Sequence, residues 1–206
     1  MGQIIHLEYN HVSNFDLNTL LAYTDIWCEK IIDENRKKES LLARLLIDKI
    51  CAETSNKTLN DCGFQKDSKG KPFLKYCPEI HISITHCEGH VWVAAADCPL
   101  GIDFEEVNFN AKEDLKIAFK KEDWEQINTD TVSVFKYFSL KESYTKMLGM
   151  GFLMEPAEIA IKDVYNNSYH KIFNICDRCF IFTIMTKEYL PENLLSLLET
   201  IDPKYV

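Results

Sequence analysis

The sequence predicts an α+β fold arranged as two lobes, and three observations carry that prediction. A run of helical spacing is followed by strand-like alternation twice along the chain. Pro99 and Gly101 interrupt the pattern near its middle. With 206 residues and 46% hydrophobic content, the chain can bury one sizeable core or the cores of two lobes of about a hundred residues each. The boundary is expected near Cys98, giving an N-terminal lobe of residues 1–98 and a C-terminal lobe of residues 99–206.

Gln3 to Glu8 reads as a short strand. From about Asp33 to Ile50, the apolar residues Leu41, Leu42, Leu45, Leu46 and Ile50 recur at helical spacing, so one helix face should pack on a sheet. Asn56 to Gly70 is polar and reads as a loop closed by Gly70-Lys71-Pro72. Strict alternation then sets Ile80, Ile82 and Ile84 against His81, Ser83 and Thr85, and a second strand runs through Val91, Val93 and Ala95. Gly101-Ile102-Asp103-Phe104-Glu105 opens the second lobe as a strand. Lys112 to Gln126 reads as a charged helix carrying Leu115, Ala118, Phe119 and Trp124. A second helix spans Asp130 to Leu148, its apolar stripe formed by Tyr137, Leu140, Tyr144, Met147 and Leu148 and its C-terminus capped by Gly149. Strands at Ile159–Val164, Lys171–Ile175 and Phe180–Met185 complete the lobe.

Charge narrows the function classes. A net charge of -9 and a pI near 5.2 argue against nucleic-acid binding, which needs a basic surface, so any anionic ligand must meet a local basic patch. The first residues lack the charged and apolar regions of a signal peptide. The longest strongly apolar stretch, near Phe180-Ile181-Phe182, falls far short of the ~20 residues a membrane span needs. A cytoplasmic protein with no membrane span is expected, and with it eight reduced cysteines. Cys176 and Cys179 form a C-x-x-C without the second pair that a structural zinc site requires, and the segment reads as a turn between strands.

Two clusters carry chemistry. Asp103 and Glu105 lie i, i+2 on one strand face, about 6.6 Å apart along the chain, and can converge on one hard cation. Such a pair at a strand end is ordinarily a solvated surface feature. Glu142 and Lys146, spaced i, i+4, are equally an ordinary surface pair on an amphipathic helix. His86 reads either as a satisfied polar side chain near a strand end or as a phosphate contact.

Order and spacing add what neither cluster gives alone. Gly101-Ile102-Asp103-x-Glu105, followed some thirty-odd residues later by Lys141-Glu142-Ser143-x-x-Lys146-x-x-Gly149-x-Gly151, resembles the paired signature of the Sfp-type 4′-phosphopantetheinyl transferases. Upstream, Gly70-Lys71-Pro72 and Ser83-Ile84-Thr85-His86-Cys87 are similar to that family's G-K-P and N-I-S-H-S segments, extending the likeness from roughly residue 70 to 152. Phe138 stands where the family commonly has Trp. Ser83, Thr85 and Cys87 replace Asn, Ser and Ser, departures that bear on coenzyme A affinity more than on chemistry.

The resemblance implies two similar lobes related by a pseudo-twofold, with coenzyme A in the cleft between them. It implies transfer of the phosphopantetheine arm from coenzyme A to a serine of an apo acyl or peptidyl carrier protein, releasing 3′,5′-ADP. Asp103, Glu105 and Glu142 would hold Mg²⁺, with Mn²⁺ as the alternative. Glu142, Lys146 and Asp103 would be the catalytic residues, Glu142 accepting the serine proton and Lys146 donating to the leaving phosphate. Lys71, Thr85, His86, Lys146 and Arg44 would contact coenzyme A, with Lys37 and Lys38 as further basic residues. A monomer is expected, with the carrier docking on Lys112–Trp124 through Lys116, Lys120 and an apolar anchor such as Phe119. The rival readings are a metal-dependent nucleotide pyrophosphohydrolase and a non-catalytic module that binds carrier proteins or coenzyme A.

Overall fold

Strand β1 (Ile5–His11) and the short helix α1 (Leu17–Leu21) precede the long helix α2 (Glu34–Ser55). Residues 5–26, 28–150, 154–165, 167–188, 190 and 193–201 are described in this computed structural model. Asp33 starts α2 by accepting the Arg36 backbone N–H, and Asn56 ends it in the left-handed region at φ 54°. The stretch 56–70 is not only a loop. A reciprocal capping box between Thr58 and Asp61 starts helix α3 (Leu59–Cys62), and β2 (Phe64–Lys66) pairs with β3 (Pro72–Leu74) as a hairpin. β4 (His81–Cys87) and β5 (His90–Ala96) follow, joined by a two-residue turn at Glu88-Gly89 in which both φ are positive. The expected boundary at Cys98 lies between β5 and β6 (Leu100–Glu106).

Two expectations fail beyond this point. Lys112–Gln126 is not one helix: a 3-10 segment, Glu113–Ala118, ends at extended Phe119 and Lys120 before α4 (Lys121–Ile127) begins. Burying Phe119 requires this break, since its ring turns inward against Trp124 and beneath the Lys141 ammonium. After α5 (Thr131–Leu148), Ile159–Val164 is not a strand but the lead into helix α6 (Ile161–Tyr165). Its apolar residues Ile161 and Val164 are i, i+3 and serve a helix as well as a strand. β7 (Ser168–Ile175), β8 (Arg178–Thr186) and α7 (Asn193–Thr200) complete the chain. Cys176-Asp177 is the two-residue β7–β8 turn, both residues at positive φ, as the sequence suggested. No helix among the described residues is long and apolar enough to cross a membrane.

The strands form two small antiparallel sheets, β1-β5-β4 and β6-β8-β7, besides the β2-β3 hairpin. Alternation divides each sheet between two cores. Val91, Val93 and Ala95 face Leu41, Leu42 and Leu46 of α2, whereas Trp92, Ala94 and Ala96 face away from it. In the second sheet Ile102, Phe104, Phe180 and Phe182 join that shared core around Trp92, and Ile181 and Met185 turn toward α5. The sheets also meet edge to edge. Backbone N–H groups of Ile102 and Phe104 on β6 donate to the hydroxyls of Ser83 and Thr85 on β4, each at 3.1 Å, so side chains replace a backbone ladder along this seam.

Candidate active site

Strand parity puts Gly101, Asp103 and Glu105 on the face of β6 that meets α5. Gly101 lets the helix come close. A Cβ there would stand 1.9 Å from the Ser143 carbonyl oxygen and 2.6 Å from the Met147 backbone nitrogen, so only glycine fits. The close approach brings α5 side chains onto Asp103, which is 2% exposed. Lys146 Nζ donates to its Oδ1 at 2.7 Å, and the Ser139 hydroxyl donates to Oδ2 at 2.8 Å. Thr85 Oγ1 reaches Oδ1 at a longer 3.4 Å. Behind them, Thr183 of β8 contacts the hydroxyls of Ser139 and Ser143, fixing helix and sheet together.

Glu105 and Glu142 stand near this pair, and both carboxyls titrate above their ordinary values. Burial is the larger cause for Glu105, which is pushed up to about 8, and the Asp103 charge adds to it. For Glu142 burial and then Asp103 raise the pKa, with Lys146 acting in the opposite sense. With all three carboxylates ionised, the single ammonium of Lys146 would leave two negative charges, and this hard-oxygen donor set suits a divalent cation such as Mg²⁺. As the side chains stand, no three acidic, imidazole or thiol groups among the described residues are close enough to hold a metal, and Asp103 is turned to Lys146 and Ser139 instead.

Beside the carboxylates opens a cleft of about 480 Å³. Glu142 and Lys146 line it from α5, Arg44 from α2, and Lys66, Lys69 and Lys71 from the β2-β3 hairpin. The local basic patch demanded by an acidic chain is therefore present. Burial pulls the Lys66 ammonium down, and the neighbouring Arg44 charge adds to the effect; burial likewise lowers Lys71. Lys71 donates to the Met147 carbonyl at 2.8 Å, closing the end of α5 beside Gly149, whose φ of 66° makes it the expected C-cap. Arg44 is 2% exposed, bound to Asp25 and Ser40 and set over the Phe64 ring, yet its Nη2 is buried with no hydrogen-bond partner among the described residues. An orphaned guanidinium nitrogen on a cleft wall is what an anionic ligand would satisfy.

The remaining expected contacts divide. His86 lines the cleft. Thr85 does not: it is 4% exposed and its hydroxyl serves the seam between the sheets. Lys37 and Lys38 are not among the lining residues, and Gly151 and Phe152 lie outside the described residues. Sequence reasoning missed Lys66, Lys69, Ser40 and Glu155. The clustering of Lys66, Lys69 and Lys71 about Gly70 was the available signal for the first two. It is invisible while 56–70 is taken as a plain loop.

Comparison with known proteins places the region around β6 and α5 within a family. Residues 99–188 match the model of the 4′-phosphopantetheinyl transferase superfamily. The chain is 35% identical over 149 residues to the 4′-phosphopantetheinyl transferase gsp of Aneurinibacillus migulanus, covering 68% of this chain and 61% of that protein. It is 32% identical over 165 residues to the L-aminoadipate-semialdehyde dehydrogenase-phosphopantetheinyl transferase of Candida glabrata, covering 71% and 62%. It is 25% identical over 129 residues to the 4′-phosphopantetheinyl transferase Sfp of Bacillus subtilis, covering 60% and 58%. The matches thus span about three-fifths of these curated relatives. The superfamily match encloses Gly101, Asp103, Glu105, Glu142 and Lys146, the residues that join β6 to α5. Over residues 99–188, the chain belongs to the 4′-phosphopantetheinyl transferase superfamily.

Proposed function

We propose that this protein transfers the 4′-phosphopantetheine group of coenzyme A to a serine hydroxyl of an apo acyl or peptidyl carrier protein, releasing 3′,5′-ADP. One observation carries the reading: Glu142 and Lys146 line a cleft walled by Arg44, Lys66 and Lys71, with Asp103 directly behind Lys146. A nucleotide with phosphates needs the cationic wall, and phosphoryl transfer needs the carboxylates and ammonium beside it.

The new bond joins the serine oxygen to the phosphorus carrying pantetheine, and the pyrophosphate P–O bond to the adenosine side breaks. Glu142 accepts the serine proton, directly or through water, and passes it to solvent. Lys146, held by Asp103, keeps further N–H groups to donate to the leaving phosphate. Mg²⁺, with Mn²⁺ as substitute, would be held by Asp103, Glu105 and Glu142 and would withdraw charge from the reacting and leaving phosphates. Arg44 and Lys71 bind the nucleotide end.

The two halves, 1–98 and 99–206, we take as lobes related by a pseudo-twofold. Each sets a long helix on a three-stranded antiparallel sheet whose strand order matches its counterpart's, β1-β5-β4 and β6-β8-β7. A cytoplasmic monomer fits this reading. The test is to incubate the protein with coenzyme A, Mg²⁺ and a panel of apo carriers. Intact-mass measurement is expected to find one phosphopantetheine group added to at least one carrier. No addition to any carrier, with coenzyme A cleaved regardless, would favour the pyrophosphohydrolase.

A further inference from the structure

A buried carboxylate on a helix demands an explanation, because taking it out of water is costly unless its oxygens are satisfied. Glu39, on the sheet-facing side of α2, is 6% exposed. Both its oxygens are used. Oε1 accepts the Gly89 backbone N–H at 2.8 Å, and Oε2 pairs with His86 Nδ1 at 2.9 Å. The Gly89 donor is free because Gly89 sits in the two-residue β4–β5 turn at φ 82°, where a Cβ would collide with the His11 ring at 2.6 Å. Burial pushes the Glu39 carboxyl up, but the bonds from His86 and Gly89 more than offset it, leaving its pKa below the ordinary value. The group is therefore an anion at neutral pH and can only accept.

His86 needs such a partner. It lies near the end of β4 with a side chain 43% exposed, and among the described residues Glu39 is its sole polar contact. An ionised acceptor at Nδ1 puts the hydrogen there and stops the ring from turning. Nε2, on the opposite edge, is then the nitrogen left to the cleft that His86 lines with Arg44, Lys66 and Lys71.

We propose that Glu39 is a positioning residue that fixes the His86 imidazole, through Nδ1, so that Nε2 is presented to a phosphate group of the nucleotide bound in the cleft. The ligand's identity rests on the coenzyme A reading above; the ring's orientation does not. Glu39 thus reaches the ligand through His86 and contributes to binding, with no part in the transfer itself.

The test has two arms, with circular dichroism and thermal melting confirming that each variant folds. In the first, ¹⁵N-histidine NMR of the free protein reads the His86 ring, assigned by its loss in His86→Gln. Glu39→Ala is expected to remove the signature of an Nδ1 held by a carboxylate, while Glu39→Gln, which keeps an acceptor, retains the hydrogen on Nδ1. An identical His86 spectrum in Glu39→Ala would overturn the positioning. In the second arm, calorimetry measures coenzyme A binding. Glu39→Ala and His86→Gln are each expected to weaken it roughly tenfold or more, the worth of a charge-assisted hydrogen bond. The double variant should be no weaker than the singles, because the pair acts as one unit. Glu39→Gln should restore part of the affinity, and kcat at saturating coenzyme A should stay near wild type in both Glu39 variants. Additive losses, or a kcat that falls with affinity unchanged, would contradict the proposal. Should Glu39→Ala not fold, Glu39→Gln is compared with wild type and with His86→Gln: a coenzyme A affinity between theirs supports the proposal, and one equal to wild type would overturn it. A wild-type protein that did not bind coenzyme A would refute the proposed function, and the NMR arm would still judge the positioning.

Discussion

At the scale of single residues, Asp103 shows how a short motif becomes a site. Its carboxylate, buried on the strand face toward α5, holds Lys146 and Ser139 and adds to the burial that raises Glu105 and Glu142. Glu142→Gln removes a ligand charge and a proton acceptor together, and losing one such aimed group typically costs roughly 2.7–4 kcal/mol in the barrier. Transfer should fall by about two to three orders of magnitude with the melting temperature nearly unchanged; a wild-type rate would remove Glu142 from the mechanism. Asp103→Asn should act mainly through the metal, so excess Mg²⁺ is expected to restore part of the lost activity. His90 makes a prediction about stability instead. It is buried against the Tyr9 hydroxyl, and burial, then the His11 and Arg178 charges, pull its pKa down to about 4 from 6.5. Between those values the unfolded chain binds the proton and the folded one does not. Stability from neutral His90 is therefore full above about pH 6.5 and declines as pH falls toward about 4, by up to roughly 3 kcal/mol. His90→Gln should flatten that limb in urea unfolding followed against pH, and an unchanged slope would show that other groups govern it.

At the scale of elements, the contact of β6 with α5 decides whether the two motifs meet. Gly101→Ala drives a methyl into the α5 backbone, an overpacking that costs roughly 1–3 kcal/mol, and a displacement of about 1 Å near the chemistry can cost a hundredfold in rate. Activity should drop by about that factor alongside a lower melting temperature, and a fully active variant would show that the helix need not sit so close. The segment 113–120 carries the carrier-docking prediction in revised form. Phe119 is 6% exposed and cannot anchor a partner, whereas Ile117 is 87% exposed between Lys116 and Lys120. Reversing both lysines to Glu should raise the carrier KM several-fold and leave the coenzyme A KM alone, since rim charges act mainly on association. An unchanged carrier KM at low salt would place docking elsewhere. Regular elements were readable where one period dominates, as in the alternation along β4 and the spacing along α2. They were misread where short segments fit two periods, as at Ile161 and Val164, or where burial of one ring interrupts a helix, as at Phe119.

At the scale of the molecule, an acidic chain gathers Arg44, Lys66, Lys69, Lys71 and Lys146 around one cleft from α2, the β2-β3 hairpin and α5. The carboxylates and Lys146 were legible because each lies in a short local pattern. Pairings across the fold were not: nothing local links Glu39 to His86, or Ser83 and Thr85 to the β6 backbone, since only folding makes those groups neighbours. Thr85 in particular was expected to face phosphate and instead joins the two sheets. The proposed transfer requires this cleft to hold coenzyme A while a serine, not water, attacks it. The most direct measurement is the amount of 3′,5′-ADP released with Mg²⁺ and coenzyme A, in the presence and absence of an apo carrier that accepts the group. One 3′,5′-ADP per carrier modified is expected from the proposed transfer, with only background release when the carrier serine is replaced by Ala. Steady release without carrier, or carrier modification that persists undiminished in Glu142→Gln, would contradict it.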